Sequence, residues 1–272
     1  MSQGMEGEFI SMMEHDQSPI DGCCRSTKKV RGRRKQVVKL ASYLKGHTIL
    51  DVGCGNGNLT LELIKVMKVK EAIGIDIAEE RIEACKRKGI DARKVDVEKD
   101  RLPFEDSYFD VVFCLEVLEH LYDPIYLLLE IRRILKSGGL LVISTPNLAS
   151  IHNRSALLFG NQPISTGMSH LYRAYERNYA GKPKGYIDGH RRVSTLKSIK
   201  NLLSFCNFNL VHVEGSTFDP LHNEGSKDLL PSSLQPFLCV LKFFDKCASY
   251  FPSIAYDIIL VAKKEECLDF RQ

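Results

Sequence analysis

The segment Asp51-Val-Gly53-Cys-Gly55-Asn-Gly57 limits what this chain can fold into more than any other stretch. A short apolar run, Thr48-Ile49-Leu50-Asp51-Val52, leads into it, and a helical pattern from Leu59 to Met67 leads out. Glycines at alternate positions let a backbone turn sharply and approach a ligand without a Cβ clash. A turn of this kind lies at the carboxyl end of a strand, where open α/β sheets bind ligands. Alone it is weak evidence, because a dinucleotide-binding protein uses the same turn to hold a pyrophosphate.

Downstream the pattern repeats. Ala72-Ile73-Gly74-Ile75-Asp76 reads as a second strand and Glu79 to Lys88 as a second helix. Ala92 to Val95 reads as a weaker third strand, and Phe109 to Cys114 as a fourth. Pro124 to Leu135 reads as a helix with proline in its first turn, where the missing N–H costs nothing. Ser137-Gly138-Gly139 ends it, and Leu140 to Ser144 is a fifth strand. Further on come an amphipathic helix, Thr195 to Cys206, a strand, Phe208 to Glu214, and a last apolar strand, Tyr256 to Ala262. Continuously apolar strands that alternate with helices imply a parallel sheet covered on both faces.

This order predicts one α/β domain over residues 46–266, after an N-terminal segment and lead-in helix over residues 1–45. Two excursions interrupt it: a polar cap insert at 146–190, following the fifth strand, and an apolar helical insert at 216–252. The basic run Lys28 to Lys35 leads into Val37, Val38, Leu40 and Leu44, which share a helix face. That run reads either as a solvated helix start or as a guide for an anionic acceptor.

Composition closes off several classes. The net charge of +4 is too mild to imply a nucleic-acid partner by itself. The nine cysteines include no C-x-x-C pair, so no metal ligand is named and a reducing compartment is the simplest reading. No apolar run reaches the roughly 18 residues that span a bilayer. The N-terminus is polar rather than signal-like, and the expected location is cytoplasmic.

Three features separate the readings of the glycine turn. Its spacing is G-x-G-x-G, and Asn58 stands where a third dinucleotide glycine would fall. Asp51 precedes the turn, where a carboxylate can order the loop and face an amine or a sulfonium. Asp96 follows the third strand, placed for an adenine amine or for a turn of its own. Asp76 ends the second strand, where a carboxylate can accept both ribose hydroxyls or simply cap a helix.

With these motifs, the stretch Leu102-Pro-Phe-Glu-Asp-Ser-Tyr-Phe-Asp110-Val-Val and the stretch Glu116-Val-Leu-Glu119-His120-Leu, the chain resembles class I S-adenosyl-L-methionine (SAM)-dependent methyltransferases. It is most similar to the small-molecule branch that includes quinone-pathway O-methyltransferases. The resemblance is strong over residues 46–146 and weak beyond. It implies a Rossmann-like, doubly wound sheet of seven mainly parallel strands with an antiparallel last strand. It implies SAM as cofactor, with Gly53 and Gly55 lining its amino-acid part, Asp76 on the ribose, and Asp96 and Val97 framing the adenine. Cys114, Leu115 and Glu116 would border the sulfonium and methyl group. Asp51 and Gly57 complete the expected cofactor set.

An acceptor hydroxyl also has to lose its proton, and histidine suits that task near neutral pH. His120 is the expected base, against the plainer reading of a histidine that packs at a helix start. His152, His170 and His190 flank or occupy the first insert, with His152 or His190 the alternative base. The fourth-strand exit carries Cys114-Leu-Glu-Val rather than an Asn-Pro-Pro-Tyr motif, which counts against exocyclic base methylation. The insert interleaves Asn147, Asn153, Arg154, Tyr172, Arg173, Tyr175, Arg177, Tyr179, Lys182, Lys184, Tyr186, Arg191 and Arg192. It reads as a lid or as a contact for an anionic acceptor.

Phe237 to Phe251 forms a helix that is apolar over most of its circumference, with Lys242, Asp245, Lys246 and Ser249 on one side. It suits a core, a subunit contact, an apolar substrate wall or a peripheral membrane face. The expected reaction is O-methylation of a small-molecule or lipid/sugar-linked acceptor. Two alternatives stay open: an RNA or protein methyltransferase, with RNA not favoured, and a nucleotide-binding Rossmann protein that is no methyltransferase.

Overall fold

The computed structural model describes residues 32–163, 166, 190–218 and 235–265. Its strands are β1 (Thr48–Val52), β2 (Glu71–Asp76), β3 (Asp91–Lys94), β4 (Phe109–Leu115), β5 (Leu135–Pro146), β6 (Phe208–Ser216) and β7 (Asp257–Lys264). They form one sheet in the order β3-β2-β1-β4-β5-β7-β6. The pairs from β3 through β5 are parallel, and β7 runs antiparallel to both β5 and β6. This is the mainly parallel seven-stranded sheet with a reversed last strand that the motifs predict. Strand order reverses between β1 and β4, and such a switch point opens a crevice at the strands' carboxyl ends.

The helices are α1 (Arg33–Ala41), α2 (Asn58–Met67), α3 (Glu79–Arg87), α4 (Pro124–Ile134), α5 (Ile151–Leu158), α6 (Leu196–Phe205) and α7 (Gln235–Ser249). Side chains alternate across a strand, so each face of the sheet builds its own core. On one face Leu50, Val52, Ile73, Ile75, Val112 and Cys114 pack with Leu127, Leu128 and Ile131 of α4 and Ile199 and Leu203 of α6. On the other face Ile49, Val111, Phe113, Val142 and Ile259 meet Val37, Leu40 and Ala41 of α1 and Leu63 of α2. Double coverage explains why these strands are apolar throughout rather than at every second residue.

The structure differs from the sequence reading at two elements. The fourth helix stops at Ile134, and Leu135 already belongs to β5, paired with Phe109. The register then shifts before Val111 pairs with Leu140, with Gly138 at φ 70° taking up the extra chain. The glycines that read as a helix stop are a bulge inside a strand. In α7, Asp245 does not stay on a solvated polar side but turns inward with Ala248, while Val240, Phe243 and Phe244 are exposed. Asp245 accepts from the backbone N–H of Phe218, which draws it in.

Candidate cofactor-binding site

β1 delivers Asp51 to the carboxyl edge of the sheet, level with Gly74 of β2 and Phe113 of β4. The chain then turns under the tip of β2. The N–H groups of Gly53 and Cys54 both donate to the Ile75 carbonyl, at 2.8 and 3.0 Å. The N–H of Gly55 donates to Oδ2 of Asp76 at 3.0 Å. Gly53 has φ +72°, and a Cβ there would lie 2.6 Å from Cγ2 of Val117. Gly55 has φ +56°, and a Cβ there would meet nothing within 4 Å. One glycine therefore permits close packing, and the next opens onto free space. Gly57 is a packing position at the start of α2, where a Cβ would collide with Ile90 and Cys85.

Two carboxylates flank the opening. Asp51 is 3% exposed. Oγ1 of Thr60 donates to its Oδ2 at 2.6 Å. Burial pushes its carboxyl up to about 6; the Thr60 hydrogen bond opposes this, and the nearby Asp76 adds to it. A buried carboxylate of this kind is stabilised by an incoming cation. Asp76 is also buried; its Oδ1 accepts from Ala78 N–H at 3.0 Å, and Oδ2 takes Gly55 and Arg81. A carboxylate has about four lone-pair positions, so acceptor capacity is left over for a hydroxyl.

These features fit SAM. Open space lies over Gly55, a buried anion waits beside the turn for a positive amine or sulfonium, and a second carboxylate stands at the neighbouring strand tip for a diol.

The other expected cofactor residues differ in setting. Asp96 folds a tight turn after β3, accepting from Glu98 N–H at 3.1 Å and pairing with Lys99 at 2.9 Å. The Lys99 contact holds its carboxyl below the usual range. Val97 is half-buried against the core. The Cys114 side chain is wholly inside the core, and burial pushes its thiol up. Leu115 is half-buried. Glu116 adopts φ 57°, an uncommon conformation for a branched-free but bulky residue. Its Oε1 accepts from Ser144 Oγ at 3.0 Å, and its Oε2 lies 2.8 Å from Nη1 of Arg33. Arg33 donates as well to Asp257 at 2.8 Å. Within the basic run, Arg33 thus ties α1 to the exit of β4 and the start of β7, while Lys35 at its end is solvent-exposed.

Beyond Glu116 the chain makes a 3-10 turn, Leu118–His120. His120 is half-buried, and its ring lies 5.0 Å from that of His190. The N–H groups of Arg191 and Arg192 donate to the Glu119 carbonyl at 2.7 and 3.1 Å, which holds the end of the first insert against this turn. The Glu119 side chain is buried, and burial and the nearby Glu116 push its carboxyl well above the usual range. His152 has a different partner: its Nε2 lies 3.3 Å from Asp245, and its ring packs against Phe218 and Tyr256, which also touch each other. Burial pushes its imidazole below the ordinary value. His170 and the residues from Tyr172 to Tyr186 lie outside the described residues.

Sequence reasoning missed Arg33, Asp257 and Glu119. Their partners are far away in the chain, so no local spacing marks them. Arg33 stood in the basic run and Glu119 beside His120, but neither place in the sequence points to its partner.

The model of the methyltransferase domain family matches residues 50–143, from β1 into β5. The chain is 36% identical over 132 residues to a ubiquinone biosynthesis O-methyltransferase of Methylococcus capsulatus, covering 47% of this chain and 55% of that protein. It is 36% identical over 113 residues to a demethylmenaquinone methyltransferase of Staphylococcus saprophyticus, covering 40% of this chain and 48% of that protein. The chain thus spans about half the length of these curated relatives. Its fold is similar to that of a SAM-dependent methyltransferase from Archaeoglobus fulgidus, with TM-score 0.54, 22% identity, and 85% of this chain and 92% of that one covered. It is also similar to the [4+2]-cyclase SpnF, with TM-score 0.52, 18% identity, and 96% and 93% covered. That second likeness shows that the fold alone does not fix the reaction. Over residues 50–143 the chain is thus similar to the methyltransferase domain family, and its fold is that of SAM-dependent methyltransferases.

Proposed function

We propose that this protein transfers a methyl group from SAM to an oxygen of a small-molecule or lipid-linked acceptor. The observation that carries the reading is the glycine turn tied beneath the tip of β2, with Asp51 and Asp76 buried on either side of it. In this reading Asp51 faces the positive amino-acid end of the cofactor, and Gly53, Gly55 and Gly57 shape the turn around it. Asp76 accepts the ribose hydroxyls. Asp96 and Val97 frame the adenine. Cys114, Leu115 and Glu116 border the methyl group, Cys114 through its backbone only.

Bound SAM supplies a methyl group on an already activated positive sulfur. The chain's work is to align the acceptor, exclude water and handle the acceptor proton. In this reading His120, just past the exit of β4, takes that proton, with His190, whose ring lies 5.0 Å away, as the alternative. The two curated relatives named above are a ubiquinone biosynthesis O-methyltransferase and a demethylmenaquinone methyltransferase, which supports a quinone-type small-molecule acceptor. Exposed Phe243, Phe244, Tyr250 and Phe251 around α7 support a lipid-linked one. No helix among the described residues is long and apolar enough to cross a membrane. We place the protein in the cytoplasm, with any membrane contact peripheral.

The RNA reading gains nothing from the two arginines that follow the insert. Arg191 pairs with Glu98 and stacks over Tyr122, and Arg192 bonds to the Tyr122 carbonyl.

Thermal shift with SAM, S-adenosylhomocysteine and NAD tests the cofactor. The two adenosyl ligands should raise the melting temperature, and stabilisation by NAD alone would end the reading. Incubation with methyl-labelled SAM and fractionated cell extract tests the acceptor. Label should enter small metabolites or lipid; label confined to RNA or protein would replace the acceptor class.

A further inference from the structure

We propose that α7, with the end of α5, docks this protein on the surface of an anionic lipid bilayer. A helix on a protein surface normally turns its apolar stripe inward and its charges outward. In α7 this polarity is reversed. Its buried positions include Asp245 and Ala248, while Val240, Phe243 and Phe244 are exposed and Cys247 is half-buried. Those last four residues stand at i, i+3, i+4 and i+7, so they form one stripe along the helix. Phe243 is 64% exposed and Phe244 61%, and their rings meet edge to face. Tyr250 and Phe251, both exposed, carry the apolar surface past the helix end.

The helix α5 has the same character. His152 in its first turn meets Asp245 of α7, and Leu157, Leu158 and the following Phe159 are exposed. Single exposed apolar residues are ordinary on a protein surface, but runs and stripes of them mark an interaction face. At 15 residues α7 is too short to cross a bilayer, so it lies along the surface.

Charge decides which partner fits. Across residues 151–159 and 239–253 the one carboxylate is Asp245, and it is held inward by His152 and by the Phe218 N–H. The charged side chains left on the outside are Arg154 and Lys246, with Lys242 half-buried beside them. Cations next to an aromatic stripe, with no exposed acid in either stretch, complement negative headgroups above acyl chains. A second copy of this chain would bring like charges together, which disfavours a dimer through this face.

The face adjoins the carboxyl edge of the sheet. The end of α7 packs on the end of β6, where a Cβ on Gly215 would collide with the Ser249 carbonyl. Ser216 there pairs with Asp257, which pairs in turn with Pro146 at the end of β5. If the methyltransferase reading holds, docking lets a lipid-linked acceptor reach the crevice from the plane of the membrane. The docking itself does not rest on that reading.

The test uses the full chain with vesicles of phosphatidylcholine, alone or with one third phosphatidylglycerol. Co-sedimentation should show binding to the anionic vesicles that added salt weakens, and binding at least about tenfold weaker to the neutral ones. Phe243→Ser combined with Phe244→Ser should weaken binding to anionic vesicles at least about tenfold. Lys242→Glu combined with Lys246→Glu should lower it to the level of neutral vesicles. The chain has no tryptophan, so Phe244→Trp is a single reporter. Its emission should shift to the blue on anionic vesicles and be quenched by lipids brominated in the acyl chains.

S-adenosylhomocysteine binding and melting temperature are read on every sample. A serine variant that keeps both but loses the vesicles supports the docking face; if that variant unfolds, the tryptophan reporter decides alone. No binding to anionic vesicles, equal binding by wild type and the serine variant, or unshifted tryptophan emission overturns it. A wild-type dimer that the serine variant splits, with no vesicle binding, also overturns it and names a second copy as the occupant. Vesicle binding by a chain that does not bind S-adenosylhomocysteine would remove the cofactor reading and leave the docking face standing.

Discussion

Asp51 is held in the folded protein with its carboxyl raised from an ordinary 3.8 to about 6. The folded state therefore keeps this proton to a higher pH than the unfolded chain does. The group's contribution to stability is present below about pH 4 and is lost as pH rises through about 6, a change on the order of 2–3 kcal/mol. Asp51→Asn should make the ligand-free protein about 1–2 kcal/mol more stable at pH 7.5, since the amide oxygen can still accept from Thr60. The same variant should bind SAM at least about tenfold more weakly. In the wild type, SAM affinity should fall about tenfold per pH unit below about 6, because the ionised carboxylate is the binding form. Chemical denaturation and calorimetry across pH 5–8 check all three, and a pH-independent affinity would remove Asp51 from the site.

The two neighbouring glycines should separate stability from binding. Gly55→Ala places a left-handed alanine in open space, costing about 1 kcal/mol of stability while weakening SAM strongly. Gly53→Ala adds a collision with Val117 and should cost about 2–3 kcal/mol. Equal effects of the two on melting temperature and on SAM affinity would count against this division. These residues were legible in the sequence because a turn's demands are local: Asp51, Gly53, Gly55 and Asp76 announce themselves by their place at strand tips. His120 with His190, and Arg33 with Glu116, were not, since each pair is made by the fold.

At the scale of elements, α1 is joined to the sheet in two ways. Val37, Leu40 and Ala41 pack on its face, and Arg33 bridges Glu116 and Asp257 at its edge. Arg33→Ala leaves two carboxylates facing each other near the exit of β4. It should destabilise the protein by about 1–3 kcal/mol and loosen the Glu116 loop, so SAM affinity should fall with it. Hydrogen exchange of residues 115–121, with and without S-adenosylhomocysteine, reads the loosening directly. Unchanged exchange there would mean that the bridge is ornamental to the loop.

His152 joins α5 to α7 through Asp245. His152→Ala leaves that buried carboxylate with one partner fewer and should release α7 at a cost of about 2–4 kcal/mol. Proteolysis of α7 should quicken while β1–β5 stay protected. Apolar patterning placed the strands and helices well, because burial on both faces leaves a plain mark. It misplaced the start of β5 because a glycine bulge and a helix stop use the same residues. It misjudged the inward side of α7 because Asp245 is buried by a backbone partner on another element.

At the scale of the whole molecule, the sheet order sets the site. The reversal between β1 and β4 opens the crevice, and β7 inserts between β5 and β6 to finish the sheet. The family match spans residues 50–143, so the cofactor half is common ground with the relatives. The stretch between β5 and β6 and the α7 region lie beyond it, and the proposed function assigns the choice of acceptor to them. The most direct measurement is a crystal structure with S-adenosylhomocysteine bound. The account predicts its amino-acid end over Gly53 and Gly55 near Asp51, with both ribose hydroxyls within hydrogen-bond distance of Asp76. Ligand density away from that turn, or a ribose that leaves Asp76 bonded only to Gly55, Ala78 and Arg81, would contradict it.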